Sequence, residues 1–231
     1  MLRTLLPVVF LLLVCLNLWV LLQMRHAETK RSYVTGIEDW RVNKLRHLLD
    51  SSSSPLRELG IFGGLRYYPV RPGYRIFAKF RSRPDTGISF RTNRKSKIRL
   101  TWVGQFEFMA SGKPCSLRAF VTPWDSAVSP NPDSISAKTN KPKKLTQSSA
   151  GAILLVPFRD STNGRGTSRF GRYLDVTLET DTSAWLDFNM AYNAYSLYNP
   201  WYISPRAPKA NFLPVWIEAG ERTYKVGKEG R

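Results

Sequence analysis

Cysteine, histidine and acidic charge are all scarce in this chain. Of its 231 residues two are Cys and two are His. Cys15 lies in the apolar N-terminal stretch, so Cys115 has no intrachain disulfide partner in the domain. With so few thiols and imidazoles, a transition-metal site would need carboxylates, and neither a metal nor another cofactor is expected. The chain also lacks G-x-x-x-x-G-K-[ST], H-E-x-x-H, G-x-S-x-G and paired C-x-x-C motifs. Gly164, Gly166 and Gly171 do not have dinucleotide spacing. These absences exclude the commonest nucleotide-binding, metalloprotease and serine-hydrolase designs.

The shortage of acid has a positive side. Against 35 Lys and Arg stand 17 Asp and Glu, a net charge of +18. Such an excess favours anionic partners, here a membrane with its anionic lipid, or acidic polysaccharide. Nucleic acid is not the expected partner, because the basic residues are scattered in short runs such as Lys141, Lys143 and Lys144.

From Leu5 to Leu22 every residue is apolar except Asn17. Those 18 residues would make a helix of roughly 27 Å, near the hydrocarbon thickness of a bilayer. Trp19 suits an interface, and no pair of small residues follows to mark a signal-peptidase site. Residues 1–24 are therefore predicted to be a single-pass, uncleaved membrane anchor. Arg25, Lys30, Arg31, Arg41, Lys44 and Arg46 follow it, and the positive-inside bias would keep the domain cytoplasmic. Short N-terminal anchors also deliver domains outward. The extracytoplasmic side is preferred, with the orientation left open.

Beyond the anchor, residues 36–224 read as one β-rich domain. Thr35-Gly36-Ile37-Glu38 has the form of a capping box, and Ile37, Trp40, Leu45, Leu48 and Leu49 recur at helical spacing. This predicts one short amphipathic helix ending near Asp50. From Gly63 onward the period becomes two. Tyr74, Ile76, Ala78 and Phe80 alternate with Arg75, Phe77, Lys79 and Arg81, and Ile98, Leu100 and Trp102 with Arg99, Thr101 and Val103. Phe106 and Phe108 lead into the turn Ser111-Gly112-Lys113-Pro114, and Cys115 to Val121 returns from it as a hairpin. Further strands are expected at Ala152 to Val156, Tyr173 to Leu178, Ala184 to Phe188 and Phe212 to Ala219. Many short strands without intervening helices predict an all-β fold, mainly an antiparallel barrel or sandwich. Residues 125–149 are rich in Ser, Pro, Asn and Lys and are expected to form a mobile loop.

The stretch Trp185 to Glu221 interleaves Asp187, Asn189, Asn193 and Asn199 with Phe188, Tyr192, Tyr195, Tyr198, Trp201 and Tyr202. Short amide and carboxylate side chains bond nearby backbone, and Tyr carries an apolar ring with a polar tip. The mixture suits a loop packed on a sheet, and equally a cleft for a polar ligand.

The motifs here resemble the family known as domain of unknown function 1684. The resemblance rests on D-F-N-x-A-Y-N at Asp187 to Asn193, Tyr198-Asn199, Ser204-Pro205, Asn211 and Ile217 to Glu221. Upstream it takes in Gly64 to Val70 and Tyr74-Arg75, Pro157 to Asp160 with Thr162 and Gly164, and Gly171 to Asp175. The resemblance implies no activity. Where the family usually carries a proline, two cysteines and a glutamate, this chain has Ala194, Ser196, Ser204 and Ala210. Gly166 replaces a further glutamate. Joint loss of both cysteines is what a disulfide or metal pair would give.

The reading is a membrane-anchored, non-catalytic binding or envelope-associated module. Candidate ligand-binding residues are Arg159, Asp160, Arg172, Asp187, Asn189, Tyr192 and Asn193, which could equally be structural. The alternative is a hydrolase using Asp160 or Asp187 as base.

Overall fold

The computed structural model describes residues 2–51, 54–56, 63–121 and 150–224, with side chains from Val14 onward except His26. The predicted loop at 125–149 lies outside the described residues.

One helix, α1, runs without interruption from Leu2 to Asp50. The expected separation into an anchor and a short amphipathic helix is therefore corrected. Nothing between Leu22 and Thr35 breaks a helix, so the Thr35-to-Glu38 sequence lies inside α1 and starts nothing. Among the described residues, no helix is long and apolar enough to cross a membrane. In the predicted span over Leu5–Leu22, the side chains of Leu5–Leu13, half of it, lie outside the described ones. The transmembrane character of α1 is accordingly not carried into this fold.

The rest is mostly β. Seven strands form one mixed sheet: β1 (Arg75–Arg91), β2 (Lys97–Ala110), β3 (Lys113–Val121), β4 (Ile153–Asp160), β5 (Arg172–Thr180), β6 (Ser183–Asp187) and β7 (Phe212–Leu213). Their order is β3-β2-β1-β6-β5-β4-β7. All neighbours are antiparallel except β7, which lies parallel to β4 with Arg159 opposite Phe212. β3 also pairs with β4 at Phe120 and Leu155, so the antiparallel run curls until its ends meet.

The predicted hairpin forms with Ala110 opposite Lys113. Ser111 and Gly112 both have positive φ, 49° and 72°, as a two-residue turn of the right twist demands. Inside the curled sheet, Phe80, Phe106, Phe158, Phe188 and Leu174 form the main core. Phe158 and Phe188 meet edge to face with centroids 5.2 Å apart. A second apolar cluster of Phe90, Leu100, Phe120, Leu155 and Tyr173 sits on the opposite face of the same strands, with Tyr192 and Ala194 packed against it. The long connection after β6 thus covers the sheet.

Two strand expectations change. β1 continues through Pro84-Asp85-Thr86-Gly87, because a bulge between Ser82 and Thr86 absorbs the irregularity. In Phe212–Ala219 the predicted alternation is real, with Leu213, Val215, Ile217 and Ala219 buried. Only Phe212 and Leu213 make strand pairing.

Candidate functional site

Alternation decides where the first two candidates go. On β4, Asp160 falls on the same face as Leu154, Val156 and Phe158; on β5, Arg172 shares a face with Leu174 and Val176. Both charges therefore point into the core at one end of the sheet, and both side chains are fully buried. Arg172 Nη2 donates to Asp160 Oδ2 at 2.9 Å and to the Ile217 carbonyl at 2.9 Å. Its Nη1 donates to the carbonyls of Ala219 and Glu221. Asp160 Oδ1 accepts from the Thr162 amide at 2.8 Å and the Ile217 amide at 3.4 Å. The guanidinium replaces the ladder partners that residues 217–221 lack. This is why the Phe212–Ala219 segment stays extended without being a strand.

The second group sits at the C-terminal end of β6, on the same end of the sheet as the start of β5. Asp187 accepts the Tyr33 hydroxyl at 2.7 Å and 2.9 Å on its two oxygens, and its Oδ1 also accepts the Asn189 amide at 3.1 Å. Asn189 Oδ1 accepts from the Arg71 amide at 2.9 Å, while its Nδ2 lies within hydrogen-bond distance of Tyr33 Oη and the Arg71 carbonyl. Burial and the Asp187 carboxylate push the Tyr33 hydroxyl well above its ordinary pKa, which keeps it a donor. Tyr33 belongs to α1, so this cluster pins the helix to the sheet.

The third group lies further along α1. Lys44 Nζ forms an ion pair with Glu221 Oε2 at 2.9 Å and sits 4.7 Å from the centre of the Tyr192 ring. Glu221 also accepts from the Tyr198 hydroxyl and, at 3.2 Å, from the Asn193 amide. Asn193 Nδ2 donates to the Arg222 carbonyl at 2.7 Å. The Tyr192 hydroxyl donates to both oxygens of Asp175 at 3.0 Å. Burial raises the Asp175 carboxyl to about 6, although Tyr192 and Lys44 pull it back down.

The seven sequence candidates are thus not one site. Asp160 pairs with Arg172, Asp187 with Asn189, and Tyr192 and Asn193 lie beside Glu221. Arg159 stands apart. It opens on a cleft of about 570 Å³ lined by Arg159, Arg169, Phe170, Arg206 and Ala207. Sequence reasoning missed Tyr33, Lys44 and Glu221 as partners of the aromatic segment. A helical signal for Lys44 was present, since Ile37, Arg41, Lys44 and Leu48 are spaced on one face and all are buried or half-buried. Leu49, expected on the apolar stripe, is 57% exposed instead.

Two of the family departures are neighbours in space: the Ser196 amide donates to Ser204 Oγ at 3.3 Å. At a third, Gly166, an added Cβ would stand 2.3 Å from the Tyr68 hydroxyl, so Tyr68 fills the space a longer side chain would need. Among the described residues, no group of three or more His, Cys, Asp or Glu could hold a metal ion.

No curated protein matches the chain. An uncharacterized protein of Haloarcula marismortui, solved in solution by NMR, is similar at 26% identity and a TM-score of 0.60. The match covers 85% of this chain and 97% of the archaeal one. The family described as "Protein of unknown function (DUF1684)" matches residues 61–222, which take in every strand and the Asp160–Arg172 group, while Tyr33 and Lys44 of the other two groups lie before the match; the chain belongs to that family.

Proposed function

We propose that the protein is a non-catalytic binding module held at a membrane by the N-terminal part of α1. One observation carries the non-catalytic part. The two carboxylates that a hydrolase reading would use as base, Asp160 and Asp187, have both oxygens occupied by intramolecular donors. A general base needs a lone pair within reach of substrate. These carboxylates instead hold a loop and a helix in place.

The test is thermal. A side chain kept for catalysis often costs stability, so its removal raises the melting temperature. A structural clasp behaves the other way. Asp187→Ala strands the Tyr33 hydroxyl and the Asn189 amide, each worth about 1–3 kcal/mol when buried without a partner. The melting temperature is expected to drop by several degrees. An unchanged or raised value would return Asp187 to the list of functional groups.

Support for the membrane part comes from the apolar run Leu5–Leu22 and from the exposure of Leu16, Leu18, Trp19, Leu21 and Leu22 on a helix with nothing among the described residues packed over them. The full chain is expected to stay in the membrane fraction through a high-salt wash, since an apolar span is not screened. Release by salt alone would defeat this.

A further inference from the structure

The cleft at Arg159 differs from the three bonded groups because, among the described residues, its cations have no anions. Arg159 is the penultimate residue of β4, Arg169 and Phe170 belong to the connection between β4 and β5, and Arg206 lies in the long segment after β6. Three distant stretches of chain therefore each deliver an arginine to one concavity. Gly171 makes this approach possible. Its φ is +98°, and an added Cβ would stand 2.5 Å from the Phe158 carbonyl, 2.6 Å from Ala207 Cβ and 3.2 Å from Arg159 Cγ.

Among the described residues, no carboxylate lies within ion-pair distance of Arg159, Arg169 or Arg206. The Nε atoms of Arg159 and Arg206 are both buried with no hydrogen-bond partner. Like charges converging on a cleft repel, and buried donors without acceptors are costly. An oxyanion in the cleft would relieve the repulsion. Phe170 sets the geometry. The Arg206 guanidinium lies 4.2 Å and that of Arg169 4.7 Å from the centre of its ring. Stacking uses the faces of a guanidinium and leaves in-plane N–H groups for a ligand, although Arg206 Nη2 already donates to the Asn93 carbonyl at 3.3 Å. It also occupies the aromatic face, so the ligand is held by its charge and not by stacking on Phe170.

We propose that this cleft binds a phosphate group carrying at least two negative charges, as a phosphate monoester or diphosphate. A single carboxylate offers two oxygens, which one arginine fork satisfies; three forks call for the larger set of acceptors on phosphate. The cleft is also roomy enough for the rest of a small molecule or a lipid headgroup. The inference names the ligand class of the binding module and rests on that reading.

Titration calorimetry on the full chain in detergent, with pyrophosphate as probe, tests it. Wild type is expected to bind saturably. Arg159→Gln, Arg169→Gln and Arg206→Gln should each weaken binding about tenfold or more, as loss of one charge-assisted hydrogen bond predicts. Arg99→Gln, which removes an exposed charge elsewhere, should change it less than about twofold. Arg169 is exposed and its described contact is the Phe170 ring, so Arg169→Gln keeps the test usable if the other variants fold poorly. Displacement of pyrophosphate by nanodiscs containing phosphatidic acid, but not by phosphatidylcholine discs, assigns a lipid headgroup. No displacement by either assigns a soluble phosphate.

The proposal is overturned by any of three results: no saturable binding, equal weakening by Arg99→Gln, or succinate binding as tightly as pyrophosphate. Such a result alongside a destabilised Asp187→Ala ends this proposal alone. A stabilised Asp187→Ala ends the binding-module reading beneath it.

Discussion

Arg172→Met should lower the unfolding free energy by about 3–5 kcal/mol, the usual size for leaving one charge of a buried pair uncompensated. Asp160 would remain in the core with its partner gone, while the carbonyls of Ile217, Ala219 and Glu221 would lose their donor. Arg172→Lys should not rescue it. A single ammonium cannot reproduce a planar fork that meets one carboxylate and three carbonyls at once. The double variant Asp160→Asn, Arg172→Met removes both charges and should recover part of the loss, since the two sites share one network. Urea unfolding gives the answer as a lower midpoint at unchanged slope. On a domain of ordinary stability, roughly 5–15 kcal/mol, the effect is hard to miss. A loss below about 1 kcal/mol for Arg172→Met would mean that residues 217–221 do not depend on the guanidinium.

That dependence also explains what the sequence could and could not convey. Alternation in β2 and β3, and the Ser111-Gly112 turn between them, are local signals, and the strands follow them closely. The pattern at Phe212–Ala219 is equally clear and correctly predicts which residues are buried. It cannot say that the backbone partner is a side chain from β5, because that pairing spans 45 residues between Arg172 and Ile217. The capping-box reading at Thr35 failed for the opposite reason. The local chemistry was right for a helix start, but the preceding residues are themselves helix formers, so no start was needed.

The candidate residues show the same division. Asp187, Asn189 and Asn193 were legible as loop-bonding side chains, and each does bond backbone or its neighbours. Tyr33, the α1 partner of Asp187 and Asn189, and Lys44, which pairs with Glu221 beside Asn193, come from more than 140 residues earlier in the chain and carry no local mark. The mixed face Ile37, Arg41, Lys44 and Leu48 was the trace of them. A buried cation on a helix face signals an acid waiting on the other side.

Lys44 and Glu221 give the second large effect, and it is asymmetric. Glu221 is 1% exposed and Lys44 16%, so the carboxylate has no route to water while the ammonium has one. Lys44→Met should therefore cost about 3 kcal/mol or more, because it leaves a buried anion unpaired. Glu221→Gln should cost less, about 1–2 kcal/mol. Its amide oxygen can still accept from either Tyr198 or Asn193, and the freed ammonium can turn outward. The double variant should lose less than the sum of the two, by a coupling of at least about 1 kcal/mol. The readout that marks this as helix docking is amide exchange. In Lys44→Met, residues 37–48 of α1 should exchange faster while β2 keeps its protection, since the pair ties the helix to residue 221 and touches no strand ladder. If both elements exchange faster in step, the pair supports the whole domain instead. If Glu221→Gln proves the costlier of the two singles, the buried charge is not what makes this contact matter.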